Sequence, residues 1–231
     1  QEKIFHLQAL GVEIVMTRSD VQKGHPEYYQ DLAASIAAKM ENTVYINQFA
    51  NPANVTAHYE TTGPEIVAQM AGQLDAVVFG VGTGGTLSGA GRYIKEQLPE
   101  CEIVIADPKG SVLKHYIETG EMKQASSWMV EGIGEDFIPS ICAIDLADKA
   151  FEIDDATSFM TARKLLKQEG ILAGSSSGTQ IAAALEYCQQ QTTPKTVLAL
   201  VCDSGNKYFS KMFNDHWMRD HGFIQAESFG D

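Results

Sequence analysis

Two periods govern the apolar positions of this chain. Short, almost wholly apolar runs, clearest at 76–81, alternate with longer stretches in which apolar residues return every three or four places. The first pattern suits a strand buried on both faces, the second an amphipathic helix. Strands are therefore predicted at 12–16, 43–46, 76–81, 103–106 and 196–202. Helices are predicted from Pro26 to Met40 and from Pro64 to about Gly72. A third carries the stripe Leu87, Ala90, Ile94 and Leu98 and ends at Pro99, since proline stops a helix. Asp154 or Asp155 is placed to cap a helix that runs to Gly170. A serine-rich turn, 174–178, leads into a helix marked by Ile181, Ala184, Leu185 and Cys188. A last helix carries Phe209, Met212, Phe213 and Trp217. The chain opens on an amphipathic helix (Ile4, Leu7, Leu10) with no strand before it, so its first sheet reads as cut into.

Alternating strands and helices predict an α/β fold with mostly parallel sheets and helices on both faces. At 231 residues, 44% of them hydrophobic, there is room for one large domain, or one domain and part of another. No stretch has the length of a membrane span, and 1–10 lacks the apolar core of a signal peptide. A net charge of −13 argues against nucleic acid or an anionic membrane as partner. The four cysteines are scattered, which fits buried thiols in a reducing cytoplasm better than a disulfide framework or zinc site. His6, His25, His115, His216 and His221 read as surface or packing residues, and no metal site is expected.

The candidate chemistry begins at Gly82-Thr83-Gly84-Gly85-Thr86, between a buried strand and a helix. Glycines let several backbone N–H groups point at one anion, the helix start adds partial positive charge, and Thr83 and Thr86 offer hydroxyls. A phosphate is the expected guest. Two other readings stay open here. The glycines serve only close strand–helix packing, or Gly80, Gly82 and Gly85, with Asp107 at the end of the next strand, form the nicotinamide-dinucleotide fingerprint G-x-G-x-x-G. Against the latter, strand–helix units precede the loop, whereas the fingerprint usually sits on the first strand of its domain.

Further motifs carry a resemblance. The segment 48–54 (Q-F-A-N-P-A-N) with 58–66 (H-Y-E-T-T-G-P-E-I), the turn 82–86, the loop 131–134 (E-G-I-G) followed by Phe137-Ile138-Pro139, and Asp203-Ser204-Gly205 with Tyr208 occur in the order found in the cystathionine β-synthase and cysteine synthase family. The chain resembles that family of fold-type II pyridoxal-phosphate enzymes, whose fold is that of the tryptophan synthase β-subunit, over nearly its whole length. Residues 211–218 and Gly222-Phe223 resemble the cystathionine β-synthase branch. Glu135 departs from it, standing where animal members tend to carry an aromatic residue, and 174–178 is intermediate between the branches.

The resemblance implies a pyridoxal 5′-phosphate cofactor and β-replacement on L-serine, or an O-activated serine, by a thiol. Gly82, Thr83, Gly84, Gly85 and Thr86 would hold the phosphate and Ser204 would meet the pyridine nitrogen. Gln48 would lie near the substrate carboxylate, with Gly132, Ile133 and Gly134 bordering the pocket. Singly, Ser204 reads equally as a turn residue, Gln48 as a surface amide and the glycines as turn punctuation. A cytoplasmic homodimer is the implied state. Residues 1–47 would be the remnant of an N-terminal α/β domain that is otherwise missing, and 48–231 the C-terminal phosphate-binding domain. The family's Schiff-base lysine, in an S-x-K-D-R-like motif, has no counterpart here: Lys3, Lys39 and Lys207 stand in other settings. The chain by itself is expected to be inactive, since its covalent anchor and proton-transfer base are absent. A non-catalytic phosphate-binding fragment is the remaining alternative.

Overall fold

The computed structural model describes residues 2–18, 20–21 and 23–225. Its elements, in chain order, are α1 (Glu2–Ala9), α2 (Tyr29–Lys39), α3 (Pro52–Ala57), a π-helical turn (His58–Thr62), α4 (Gly63–Gln69) and β1 (Ala76–Gly80). A second π-helical stretch (Leu87–Gly91) then leads into α5 (Arg92–Gln97), β2 (Glu102–Pro108), α6 (Leu113–Thr119) and β3 (Lys149–Ile153). The chain continues through α7 (Asp155–Glu169), α8 (Ser175–Gln189), β4 (Val197–Ala199) and α9 (Asp215–Asp220).

The four strands form one parallel sheet in the order β3-β2-β1-β4. Val77 lies opposite Ile103 and Leu198, and Ala106 opposite Phe151. Alternate side chains of a strand face opposite ways. Val77, Phe79, Ile103 and Ile105 accordingly pack with Leu87, Ile94 and Leu113 on one face. On the other, Val78, Val104 and Ala106 meet Ala182, Ala183 and Tyr187 of α8. The sheet thus has helices on both faces. A third apolar cluster joins Phe159 and Ala162 of α7 to Tyr208, Met212 and Met218.

Several predicted elements changed on folding. Segments 12–16 and 43–46 are not strands. Val15 is 56% exposed and Val44 80%, and an apolar run becomes a strand only where another strand takes up its backbone groups. The final strand shortens to three residues. The serines of 174–178 form the first turn of α8 rather than a loop before it, and Ser175, Ser176 and Ser177 are all buried. The last predicted helix is a short 3₁₀ turn (Gly205–Tyr208) and then α9, which Asn214 caps by accepting from the N–H groups of His216 and Trp217. Strand β3 and helix α6 were not anticipated. The cap on α7 is Asp154, whose carboxylate accepts from Thr157 N–H at 2.7 Å.

Candidate active site

In an open parallel sheet a crevice forms where neighbouring strands send their chains to opposite sides. Here β1 runs on to β2 on one side, while β4 joins β1 from the other. The turn after β1 carries Gly82 to Thr86, and the turn after β4 carries Cys202, Asp203 and Ser204. A cleft of about 630 Å³ opens at this point. Its walls include Gly80, the whole turn 82–86, Gln48, Gly132, Ile133, Cys202 and Asp203.

The glycine turn is shaped by its neighbours. Gly84 has φ +84°, and a Cβ there would run into Cys142. A Cβ at Gly85 would overlap the side chain of Asn54. A Cβ at Gly82 would lie 2.7 Å from the Gly132 carbonyl oxygen, so close packing does account for all three glycines of the turn, yet the turn also faces the cleft. Among the described residues the N–H groups of Gly82, Thr83 and Gly84 donate to no other protein group. The hydroxyls are oriented from behind. Asn54 Nδ2 donates to Thr83 Oγ1 (3.0 Å) and to the Gln48 carbonyl (2.9 Å). His58 Nε2 lies 3.2 Å from Thr86 Oγ1 and its Nδ1 2.9 Å from Thr62 Oγ1. Burial lowers the pKa of His58, which favours a neutral ring. With its proton on Nε2, that ring donates to Thr86 and leaves the threonine hydroxyl proton free for an anion. Neither Asn54 nor His58 was assigned a role from sequence; both belong to the motif ahead of the turn, and only their pairing in space shows what they do.

The opposite wall, 131–134, is anchored from several elements. Asp155 at the start of α7 accepts from the N–H groups of Met129 and Val130, each at 2.9 Å. Ser175 Oγ accepts from Glu131 N–H (3.1 Å), and Trp128 Nε1 donates to the Ile133 carbonyl (3.1 Å). Gly134 N–H donates to Val81 O at 2.8 Å. Gly132 and Ile133 face the cleft; Gly134 lies behind them against Pro108 and Trp128.

Ser204 is exposed and is not among the residues that line the cleft, although its neighbour Asp203 is; the Ser204 hydroxyl accepts from Asn206 N–H at 3.5 Å. Beside it Asp203 accepts from Tyr208 Oη (3.0 Å) and Lys207 Nζ (3.4 Å). Helix α1 also reaches the cleft through Lys3, His6 and Leu7. Lys3 and Lys207 are the lysines on the cleft wall, and both are ion-paired, Lys3 with Glu131 and Lys207 with Asp203. Glu131 also pairs with Lys211 at 2.5 Å.

The dinucleotide reading fails on Asp107. That residue is fully buried and its Oδ2 accepts from Lys114 N–H at 2.8 Å. Its carboxylate caps α6 from inside the core, where no ribose hydroxyl can reach it.

Residues 1–203 match the family described as pyridoxal-phosphate dependent enzyme. The chain belongs to that family. It is 38% identical to the cystathionine β-synthase of Dictyostelium discoideum over 227 residues, 98% of this chain and 45% of that protein. It is 37% identical to that of Oryctolagus cuniculus, over 98% of this chain and 41% of the relative. Cysteine synthase 1 of Neurospora crassa is 36% identical over 98% of this chain and 61% of its own length. The chain thus spans less than half the length of these two cystathionine β-synthases. Among solved structures it superposes on an O-acetylserine dependent cystathionine β-synthase from Helicobacter pylori with a TM-score of 0.82. That match has 33% identity and covers 91% of this chain and 66% of the other. The turn with unpartnered N–H groups, its two oriented hydroxyls and a cleft of this size suit a pyridoxal-phosphate enzyme.

Proposed function

We propose that this chain forms the cofactor-phosphate half of an enzyme catalysing β-replacement on L-serine, or an O-activated serine, by a thiol. The observation that carries the reading is the convergence of the glycine turn after β1 and the Cys202-Asp203 turn after β4 on one cleft. The cystathionine β-synthase reaction, L-serine with L-homocysteine, is the preferred assignment, on the likeness to the Dictyostelium and rabbit relatives. Cysteine synthase is the second reading, favoured by the Neurospora relative.

When bound, pyridoxal phosphate supplies the electron sink for this chemistry. The chain's part is grip and tuning. Gly82 to Thr86 take the phosphate through backbone N–H groups and the Thr83 and Thr86 hydroxyls. Ser204 serves the ring nitrogen, where a neutral hydroxyl would not enforce protonation as a carboxylate would. Gln48 serves the substrate carboxylate, and Ile133 and Leu87 give the cleft an apolar wall that excludes water. Neither lysine on the cleft wall is placed as a free base, since both are ion-paired. These 231 residues alone are therefore proposed not to turn over.

Borohydride trapping of pyridoxal phosphate with mass spectrometry, on this chain and on the full gene product, tests both parts. The expected result is a single labelled lysine in the full product, outside these residues. A stoichiometric adduct on Lys3 or Lys207 would contradict the inactivity proposal. No adduct in either protein would overturn the assignment of the cleft.

A further inference from the structure

Glu135 places an unpaired carboxylate against the first glycine of the phosphate turn. Its backbone is fixed on both sides. The N–H donates to the Ser111 hydroxyl (3.0 Å), and the carbonyl accepts from that hydroxyl (3.1 Å) and from Val112 N–H (3.0 Å). Ser111 is itself fully buried. From this clamp the side chain runs towards the turn, and a methyl group added at Gly82 would lie 4.0 Å from Glu135 Oε1. Among the described residues the carboxylate has no hydrogen bond and no ion pair.

The titratable groups that face it are Asp136 on its own loop, Cys142 on the loop packed against Gly84, and Tyr28 ahead of α2. None of these is a cation. Burial, with Asp136 adding to it, pushes the Glu135 carboxyl up to about 8. A half-buried acid without a partner is favoured in its neutral form, and it ionises at a higher pH than a solvated one.

We propose that Glu135 sets the pH range over which the turn 82–86 holds a phosphate. Neutral, it leaves the anion to the loop N–H groups and the threonine hydroxyls; ionised, it releases its proton to solvent and repels the anion. The proposal rests on the phosphate-site reading above. A full negative charge beside a turn that holds a dianion, at the intermediate dielectric of a protein cleft, is expected to weaken binding by roughly tenfold or more.

The test is the dissociation constant of inorganic sulfate and of pyridoxal phosphate at pH 6.5 and pH 9, for the wild-type chain, Glu135→Gln and Glu135→Tyr. Sulfate keeps its charge across this range, so any change with pH belongs to the protein. The wild type is expected to lose roughly tenfold in affinity for both probes over the interval beyond what either variant loses. At pH 6.5 the Gln variant should match the wild type within about twofold. Equal pH dependence in all three proteins, with binding intact, overturns the role of Glu135 and leaves the phosphate site standing. Failure of all three to bind either probe overturns the phosphate site and this inference with it.

Discussion

The Asn54 side-chain amide donates to the Thr83 hydroxyl at 3.0 Å, tying two segments 29 residues apart. It holds the hydroxyl from behind and fills the space that any side chain at position 85 would need. The glycine turn is therefore not a free-standing loop. It is a surface pressed into shape by α3.

That relationship gives a first expectation. Asn54→Ala should weaken pyridoxal-phosphate binding by five- to thirtyfold, about 1–2 kcal/mol, which is the range for losing one hydrogen bond and the order it imposes. Asn54→Asp keeps the shape but brings a negative charge to the site, so it should bind more weakly still. Titration followed by cofactor absorbance decides, and wild-type affinity in the Ala variant would sink the positioning role.

Gly84 and Gly132 separate backbone strain from crowding. Both have positive φ, +84° and +89°, but a Cβ at Gly132 meets nothing within 4 Å while one at Gly84 strikes Cys142. Gly132→Ala should cost only the left-handed backbone penalty, about 1–2 kcal/mol. Gly84→Ala adds the clash and should cost about 3 kcal/mol or more. Urea unfolding measures both, and equal losses would show that Cys142 yields easily.

Asp107 should make stability depend on pH. It is fully buried, its Oδ1 has no partner, and burial pushes its carboxyl up to about 6 from an unfolded value of 3.8. Between those values the folded state binds more protons than the unfolded one, so stability falls as pH rises from about 4 to about 6. The full penalty at neutral pH is on the order of 2–3 kcal/mol. Asp107→Asn should remove that slope. Unfolding free energies of wild type and variant that run parallel from pH 4 to pH 7 would refute the assignment.

The role proposed for Ser204 at the cofactor ring has a direct readout. Its hydroxyl is exposed and makes one long contact, to Asn206 N–H at 3.5 Å. Ser204→Ala should leave thermal stability nearly unchanged while lowering cofactor affinity severalfold and shifting its absorption maximum. An unchanged spectrum would remove Ser204 from the ring-binding role.

Much of the fold was legible wherever a segment's own pattern decided its fate. The run 76–81 is apolar on both faces because both faces of β1 are covered, and β1 formed there. Asp154 precedes a helical stripe, and it caps α7. The misses have a common cause. Segments 12–16 and 43–46 have the composition of strands, but a strand is a relation between two chains of backbone groups, and composition does not supply the partner. Strand β3 escaped notice because it lies at the sheet edge and alternates polar with apolar residues, Lys149 and Glu152 exposed and Phe151 and Ile153 buried.

The sequence by itself determined the α/β architecture, the glycine turn and the motifs that mark the pyridoxal-phosphate family, because periodicity and glycine placement are local properties. Tertiary structure decided what those residues meet. It brought the turns after β1 and β4 to one cleft, set Asn54 and His58 behind two threonine hydroxyls, and enclosed Asp107 in the core. It also left Glu135 beside Gly82 with no balancing charge among the described residues. The physical reason is that hydrogen bonding and electrostatics depend on distances between elements, and those distances are fixed only when the sheet order places one strand's turn next to another's.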